Sequence, residues 1–234
     1  MNTQPSLAHL LTGYPAFEGM ATADVSDIVS RARRIVVPRD HAVFDQGMDA
    51  QSFFFVIEGY IRVVRVQADG GQVVVRYFPA GHLIGIAPAM NLPVYPASAI
   101  AAVDCIVLGW PAKLWDEFCR SYPGFVGNVL RAVGQRLLDS QERLMEISTQ
   151  RAEQRIARAL IHIGGSVGRT SNEGFMIDFP LSRQDIAEMT ATTLHTVSRL
   201  LAKWERAGFV RLGRQKVEVL SRLALARLAE AQGE

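Results

Sequence analysis

Only two cysteines, Cys105 and Cys119, occur in 234 residues. That is too few for a disulfide framework or for a four-cysteine zinc or iron–sulfur site. Such usage fits a reducing, cytoplasmic compartment. No uninterrupted apolar run approaches the ~18–20 residues that a membrane span requires. The stretch from Met1 to Gly13 has neither a basic start nor an apolar core, so no signal peptide is expected there. An excess of either sign of charge is also lacking. The net charge is +2, which by itself says almost nothing about nucleic acid. Paired catalytic carboxylates, a Ser/His/Asp string, a phosphate loop and His–Cys metal spacing are all missing, so no enzyme is expected. What is present is a chain with 49% hydrophobic and 21% charged residues, which excludes a disordered polymer. Its length suffices for one large domain or two small ones, each with its own core.

The small net charge is unevenly spread. Residues 1–120 carry a net −2, residues 121–150 balance, and residues 151–234 carry +4. A mildly acidic front and a basic back suit two units with different partners, although ordinary surface variation gives the same sums.

Three segments follow. In residues 1–120, Thr22 is expected to cap a helix over Ala23–Ala32, with Val25, Ile28 and Val29 on its apolar face. Short strands are then expected at Arg33–Val37, Ser52–Ile57, Tyr60–Val66, Gln72–Phe78 and Ala97–Leu108. They are separated by glycine turns at Gly47, Gly59, Asp69-Gly70-Gly71 and Gly81. Such spacing indicates a β-sandwich or barrel.

Residues 121–148 are expected to be one helix, opened by Pro123. Val126, Leu130, Val133, Leu137, Ser140, Leu144 and Ile147 recur at alternating steps of four and three, a heptad seam broken only by Ser140. Two uses are open for this seam. It pairs two chains as a parallel coiled coil, or it buries the helix against its own β domain.

Residues 149–234 hold the pattern with the most chemistry. An amphipathic helix over Arg151–Ile163 is expected to end at Gly164-Gly165, followed by a strand over Phe175–Phe179. Ser182 and Asp185 form a near capping box for a short helix, Arg183–Met189. Thr190-Ala191-Thr192 makes a tight turn into a second helix that stops at Gly208. Ile186, Leu194, Val197, Leu200, Leu201 and Trp204 are expected to hold the two helices together. The other face of the second helix offers Thr192, Thr193, His195, Thr196, Ser198, Arg199 and Lys203. Two short strands around a tip at Arg214 complete a winged helix-turn-helix. Hydroxyls, an imidazole and cations near one helix start suit base edges and phosphates in a major groove.

The stretch from Leu181 to Leu201, with its Leu194-His-Thr-Val-Ser-Arg core, resembles the DNA-binding signature of the Crp–Fnr superfamily of bacterial transcription regulators. Val43-Phe-Asp-Gln-Gly-Met, Phe55-Val-Ile-Glu-Gly-Tyr-Ile-Arg-Val and Phe78-Pro-Ala-Gly-His-Leu-Ile-Gly resemble the strands of its cyclic-nucleotide-binding-like barrel. The resemblance implies an α+β chain: a sensor barrel (1–120), a dimerisation helix (121–148) and a winged helix-turn-helix (149–234). It also implies a homodimer on palindromic promoter DNA with a TTG-type half-site, in contact with RNA polymerase and without a membrane role. By the same resemblance, Arg199 donates bidentately to a guanine and Ser198 contacts a neighbouring base or phosphate. His195 stands where the family usually has Glu, which alters the preference at one base pair. The recognition string resembles most the nitric-oxide-responsive branch that controls denitrification genes.

The resemblance also frames the effector. Cyclic-AMP-binding members hold ribose with a Gly-Glu pair and phosphate with an Arg-Ser pair. Gly85-Ile86 and Tyr95-Pro96 stand there in this chain, so tight cyclic-nucleotide binding is not expected. The two cysteines exclude the iron–sulfur sensor of oxygen-responsive members. Haem b is the sensor that the nitric-oxide branch suggests, with His82 the leading axial ligand and Met90 a second candidate, unless His82 is simply a loop residue. Two alternatives stand beside this reading: an activator that needs no ligand, and a small-molecule-binding module without DNA activity.

Overall fold

The computed structural model describes residues 7–67, 71–170 and 173–230. By contacts the chain divides into two compact units, Met1–Val66 with Phe78–Asp139, and Gln67–Tyr77 with Ser140–Glu234. The turn expected at Asp69-Gly70 lies outside the described residues. No described helix is long and apolar enough to cross a membrane.

The first unit opens with helices α1 (Leu7–Leu11) and α2 (Thr22–Ser30), followed by β1 (Arg33–Val37), β2 (Ala42–Phe44), β3 (Ser52–Glu58) and β4 (Tyr60–Val66). The strand β5 (Gln72–Pro79) leads back into it, and β6 (Leu83–Ile84), β7 (Ser98–Ala101), β8 (Cys105–Pro111) and α3 (Trp115–Ser121) follow. One antiparallel sheet has the order β1-β8-β3-β6. In another, β7 pairs with both β2 and β4.

The sequence of β3 explains how the layers assemble. Successive strand residues point to opposite faces, and β3 is apolar on both. Phe54 and Val56 join Ile61, Ala99 and Ala101 in the core between the sheets. Phe53 and Phe55 point the other way, into a second core with Trp110, Phe17, Ile28, Phe118 and Phe125 that the helices cover. The Trp110 indole N–H donates to the Ile28 carbonyl at 2.7 Å, so this buried ring also has its polar atom satisfied.

The helix α4 runs from Pro123 to Thr149. Phe125, Asn128 and Val129 at its start are buried, and Val133 leans on the helix-covered core. Further along, Leu130, Leu137, Leu144 and Ile147 are exposed, as are Leu138 and Met145.

Three sequence expectations are corrected. Thr22 is the first residue of α2 rather than its cap; Ala21 occupies the cap and offers no side-chain hydrogen bond. The strand expected over Ala97–Leu108 is two strands, because a bend at Ala102–Asp104 passes the chain from β7, paired with β4, to β8, paired with β3 in the other sheet. Gly164-Gly165 does not end its helix, which continues to Val167. A Cβ on Gly164 would collide with the Phe175 ring, so this glycine lets helix and strand approach closely. The short strands β2 and β6 carried no recognisable alternation, since two or three residues are too few to show a period.

Candidate nucleic-acid interface

The second unit contains α5 (Ala152–Val167), β9 (Gly168–Thr170), β10 (Phe175–Ile177), α6 (Arg183–Met189), α7 (Leu194–Arg206), β11 (Val210–Gly213), β12 (Lys216–Val219) and α8 (Arg222–Glu230). Its antiparallel sheet has the order β11-β12-β10-β9.

Each end of the α6–turn–α7 segment is fixed by side-chain chemistry. The Asp185 N–H donates to Ser182 Oγ at 3.0 Å, and the Ser182 N–H donates back to Asp185 Oδ2 at 2.8 Å. The near capping box is therefore a complete one, with the shorter Asp reaching as Glu would. Thr190 Oγ1 donates to the Ile186 carbonyl at 2.7 Å at the end of α6. Arg155, on α5, then holds the turn. Its Nε donates to the Thr190 carbonyl and its Nη2 to the Ala191 carbonyl. Ala191 has φ +47°, a left-handed conformation that costs an L-residue with a Cβ. Thr193 caps α7 by accepting the Thr196 N–H at 3.1 Å.

Val197, Leu201 and Trp204 are fully buried and Leu200 nearly so, which seats α7 against the unit's core. The Trp204 indole N–H and the Lys203 ammonium both donate to Glu153 Oε1, at 3.1 and 3.0 Å. Burial works to raise the Glu153 pKa. The hydrogen bonds from Lys203 and Trp204, with the charges of Lys203 and Arg199, outweigh it and hold the carboxyl below its ordinary range.

The residues expected to meet DNA fall on one stretch. Thr193, His195, Arg199 and Lys203 are exposed, and Thr192, Thr196 and Ser198 are half-buried. Two of them have a further role: the Thr193 and Thr196 hydroxyls, 2.9 Å apart, build the cap. Lys203 is paired with Glu153. Arg214 lies at the tip between β11 and β12, next to Gln215 at φ +55°. The Leu181 N–H donates to the Gln215 carbonyl at 3.0 Å, tying this tip to the approach of α6.

One expectation fails here. Leu194 does not hold the helices together; it is 48% exposed. Leu194 instead lines a cleft of about 420 Å³ whose walls are apolar at Leu181, Leu201, Leu212 and Val217 and polar at Arg183, Gln184, Arg214 and Lys216. Arg183, Gln184 and Lys216 were not singled out from the sequence. Their signal was available in hindsight: polar residues at a helix start and a strand start, beside a turn that brings both ends together.

In the first unit, the positions that the resemblance associates with a nucleotide are filled by aromatic packing. The Tyr95 and Phe44 rings stack with centroids 4.0 Å apart, and Phe44 stacks on Phe54 at 5.7 Å. Tyr95 Oη donates to the Ser52 carbonyl at 2.7 Å and accepts the Ser52 N–H at 3.1 Å. Burial pushes the Tyr95 pKa up, against the opposing effect of the Ser52 hydrogen bond. Gly85, at φ +63°, lies against the same rings, where a Cβ would press on Phe44 and Phe54. Ile86 is 6% exposed and belongs to the helix-covered core.

The carbonyl of His82 accepts the Val56 N–H at 3.0 Å, and its half-buried ring lies 5.8 Å from the Phe78 ring. The Arg136 guanidinium covers Phe78 at 4.7 Å and donates to the Leu83 carbonyl. Leu83, Ile84, Ile86 and Ala87 are spent on the two cores. Met90, the second axial candidate, is exposed. Cys105 is buried, with Sγ donating to the Val103 carbonyl at 3.1 Å, and burial pushes its thiol pKa up. Cys119 is half-buried on α3, and burial raises its pKa too.

Comparison with known proteins finds two domain families along the chain. Residues 34–122 match the cyclic nucleotide-binding domain family, and residues 154–228 match the Crp-like helix-turn-helix domain family. The chain is 26% identical over 208 residues to the transcriptional activator protein FnrA of Stutzerimonas stutzeri, covering 88% of this chain and 83% of that one. It is 26% identical over 219 residues to the cyclic AMP receptor protein of Thermus thermophilus, covering 94% of this chain and 98% of that one. Among solved structures, FixK2 from Bradyrhizobium japonicum superposes with a TM-score of 0.75 at 19% identity, over 86% of this chain and 99% of that chain, a likeness of fold.

Proposed function

Because the chain belongs to the Crp–Fnr family of DNA-binding transcription regulators, we propose that it acts as a homodimer on a palindromic promoter site with TTG-type halves. The observation that carries this is the surface of α7. Its large apolar residues beyond the first turn are buried, while His195 and Arg199 stand exposed on a capped helix. A bidentate arginine–guanine contact is worth ~1–3 kcal/mol of discrimination. The exposed Leu130, Leu137 and Leu144 of α4 support the dimer, since they recur every seven residues with no cover of their own.

The effector we propose is not a cyclic nucleotide. Tyr95 and Ile86 provide neither a cation for the phosphate nor an acceptor for a ribose hydroxyl, and stacked rings take up the space around Tyr95 and Gly85. Nitric oxide or redox state is the signal suggested by the recognition string. Haem on His82 is a finer part of the proposal. The part-exposed imidazole beside Phe78 supports it, while a porphyrin there needs Leu83–Ala87 to leave the cores they now fill. Once bound, a haem would supply an iron centre able to take nitric oxide. A haem titration followed by absorbance tests this part: a Soret shift lost in His82→Ala supports it, and no shift removes it.

Selection of binding sequences from random duplexes tests the main reading. Enrichment of inverted repeats with TTG-type halves is expected. A pool without enrichment, or one of single asymmetric sites, contradicts it.

A further inference from the structure

We propose that the Gln72–Tyr77 arm of β5 sets the spacing between the two DNA half-sites, with Glu188 and Arg143 as its positioning residues. The inference rests on the homodimeric DNA-binding reading and adds what fixes one reader relative to the other. The arm groups with the second unit, as does α4 from Ser140 onward. Three contacts join it to helices of that unit. The N–H of Val74, a residue 3% exposed, donates to Glu188 Oε2 on α6 at 2.9 Å. The Val75 carbonyl accepts from Arg143 Nη1 on α4 at 2.9 Å. The buried Tyr77 ring meets the buried Phe179 ring, just ahead of α6, with centroids 4.4 Å apart. Buried strand amides ordinarily find backbone partners. Here consecutive residues of one strand bond to charged side chains of two different helices.

Those two helices lie on opposite sides of a junction. The helix α4 ends at Thr149 and α5 begins at Ala152, so Gln150 and Arg151 separate the helix with the exposed leucine seam from the reader. A short non-helical junction is where one element rotates on another. The arm bridges it, with Arg143 before the junction and Phe179 and Glu188 after it. Arg158 also ties α5 back to Glu146, at 3.4 Å; the arm ties α6, which carries the turn into α7. Both of its hydrogen bonds are charge-assisted. In a dimer joined along α4, the direction of α7 relative to α4 sets the separation of the two recognition helices. Half-sites of such dimers lie one helical turn of DNA apart. One added base pair moves a half-site by roughly 3.4 Å and about a tenth of a turn, which a braced junction does not follow.

The test uses the full-length chain and three kinds of duplex: the inverted repeat it enriches, the same halves with one base pair added to or removed from the spacer, and the repeat with one half scrambled. The wild type should bind the enriched spacing about tenfold more tightly than either altered one. Glu188→Ala and Arg143→Met should each cut that ratio to about threefold or less, while binding the single half-site within about twofold of wild type. Glu188→Gln, which keeps an oxygen to accept the Val74 N–H, should retain the wild-type ratio. The proposal is overturned if Glu188→Ala and Arg143→Met keep the wild-type ratio, or if the wild type shows no preference among spacings. It is equally overturned if the variants lose half-site and repeat binding alike, since the contacts then only support the reader's fold. Failure to enrich an inverted repeat would instead remove the homodimeric DNA reading, and the role of the arm with it.

Discussion

The Arg155 guanidinium donates from Nε to the Thr190 carbonyl at 2.8 Å, and so fastens the turn between α6 and α7 to the preceding helix. The same side chain reaches the Ala191 carbonyl at 3.1 Å and the Gln150 carbonyl at 2.6 Å. A planar fork serves three carbonyls at once, which an ammonium on a flexible stem does not. Arg155→Met should lower unfolding stability by about 1–3 kcal/mol, with Arg155→Lys recovering less than half of the loss. Urea denaturation of the two variants checks this. Equal stability of Arg155→Met and wild type would mean that the turn holds itself.

The turn also stores strain at Ala191, whose φ is +47°. Glycine adopts this conformation without the Cβ penalty but gains freedom in the unfolded chain. Ala191→Gly should therefore stabilise by a net ~0.5–1 kcal/mol. A rise in the urea midpoint at unchanged slope is the expected result, and a fall would mean that the turn relaxes out of the left-handed region.

Glu153 makes the α5–α7 contact sensitive to acid. Its folded-state pKa lies below the ordinary 4.5. A carboxylate with a depressed pKa contributes stability that is fully present above its unfolded-state value and lost as pH falls through the folded one. The melting-temperature gap between wild type and Glu153→Gln should accordingly be constant near neutrality and shrink below about pH 4.5. A gap that persists at pH 3 would assign the effect to packing around Trp204 rather than to charge.

Leu137 and Leu144 are 60% and 67% exposed along α4. Replacing both by glutamate puts four like charges into the seam of a pair of chains, where each leucine would bury for ~1.5–3 kcal/mol. Sedimentation velocity should show a dimer for the wild type and a monomer for Leu137→Glu/Leu144→Glu at micromolar concentration. A double variant that remains dimeric would locate the interface elsewhere.

The two-unit plan was legible because it rests on period. The apolar run of β3 between glycine turns, the heptads of α4 and the capping box at Ser182 are local signals, and each produced the element it implied. The wing was legible from Gly208 and Gly213 around two short alternating runs. What stayed hidden depends on partners distant in sequence. Gly164 looked like a helix end until Phe175 was seen to lie against it. Leu194 looked like core because it lies three and seven residues before the buried Val197 and Leu201 on one helical stripe, yet at the helix start it is 48% exposed. Arg155 lies 35 positions before the carbonyl that it holds, with no local pattern to announce it. The filled space around Tyr95 was only half visible. The sequence lacked the polar groups for a nucleotide, but the stack with Phe44 is a product of folding.

Sequence-selective DNA binding through Arg199 is the central claim, and fluorescence anisotropy of a selected duplex against a scrambled one tests it most directly. The wild type should prefer the selected duplex, and Arg199→Ala should lose most of that preference, by ~1–3 kcal/mol per half-site. Its affinity for the scrambled duplex, its dimer mass and its melting temperature should stay near wild type. An Arg199→Ala protein that keeps the full preference, or that loses it only by unfolding, would contradict the account.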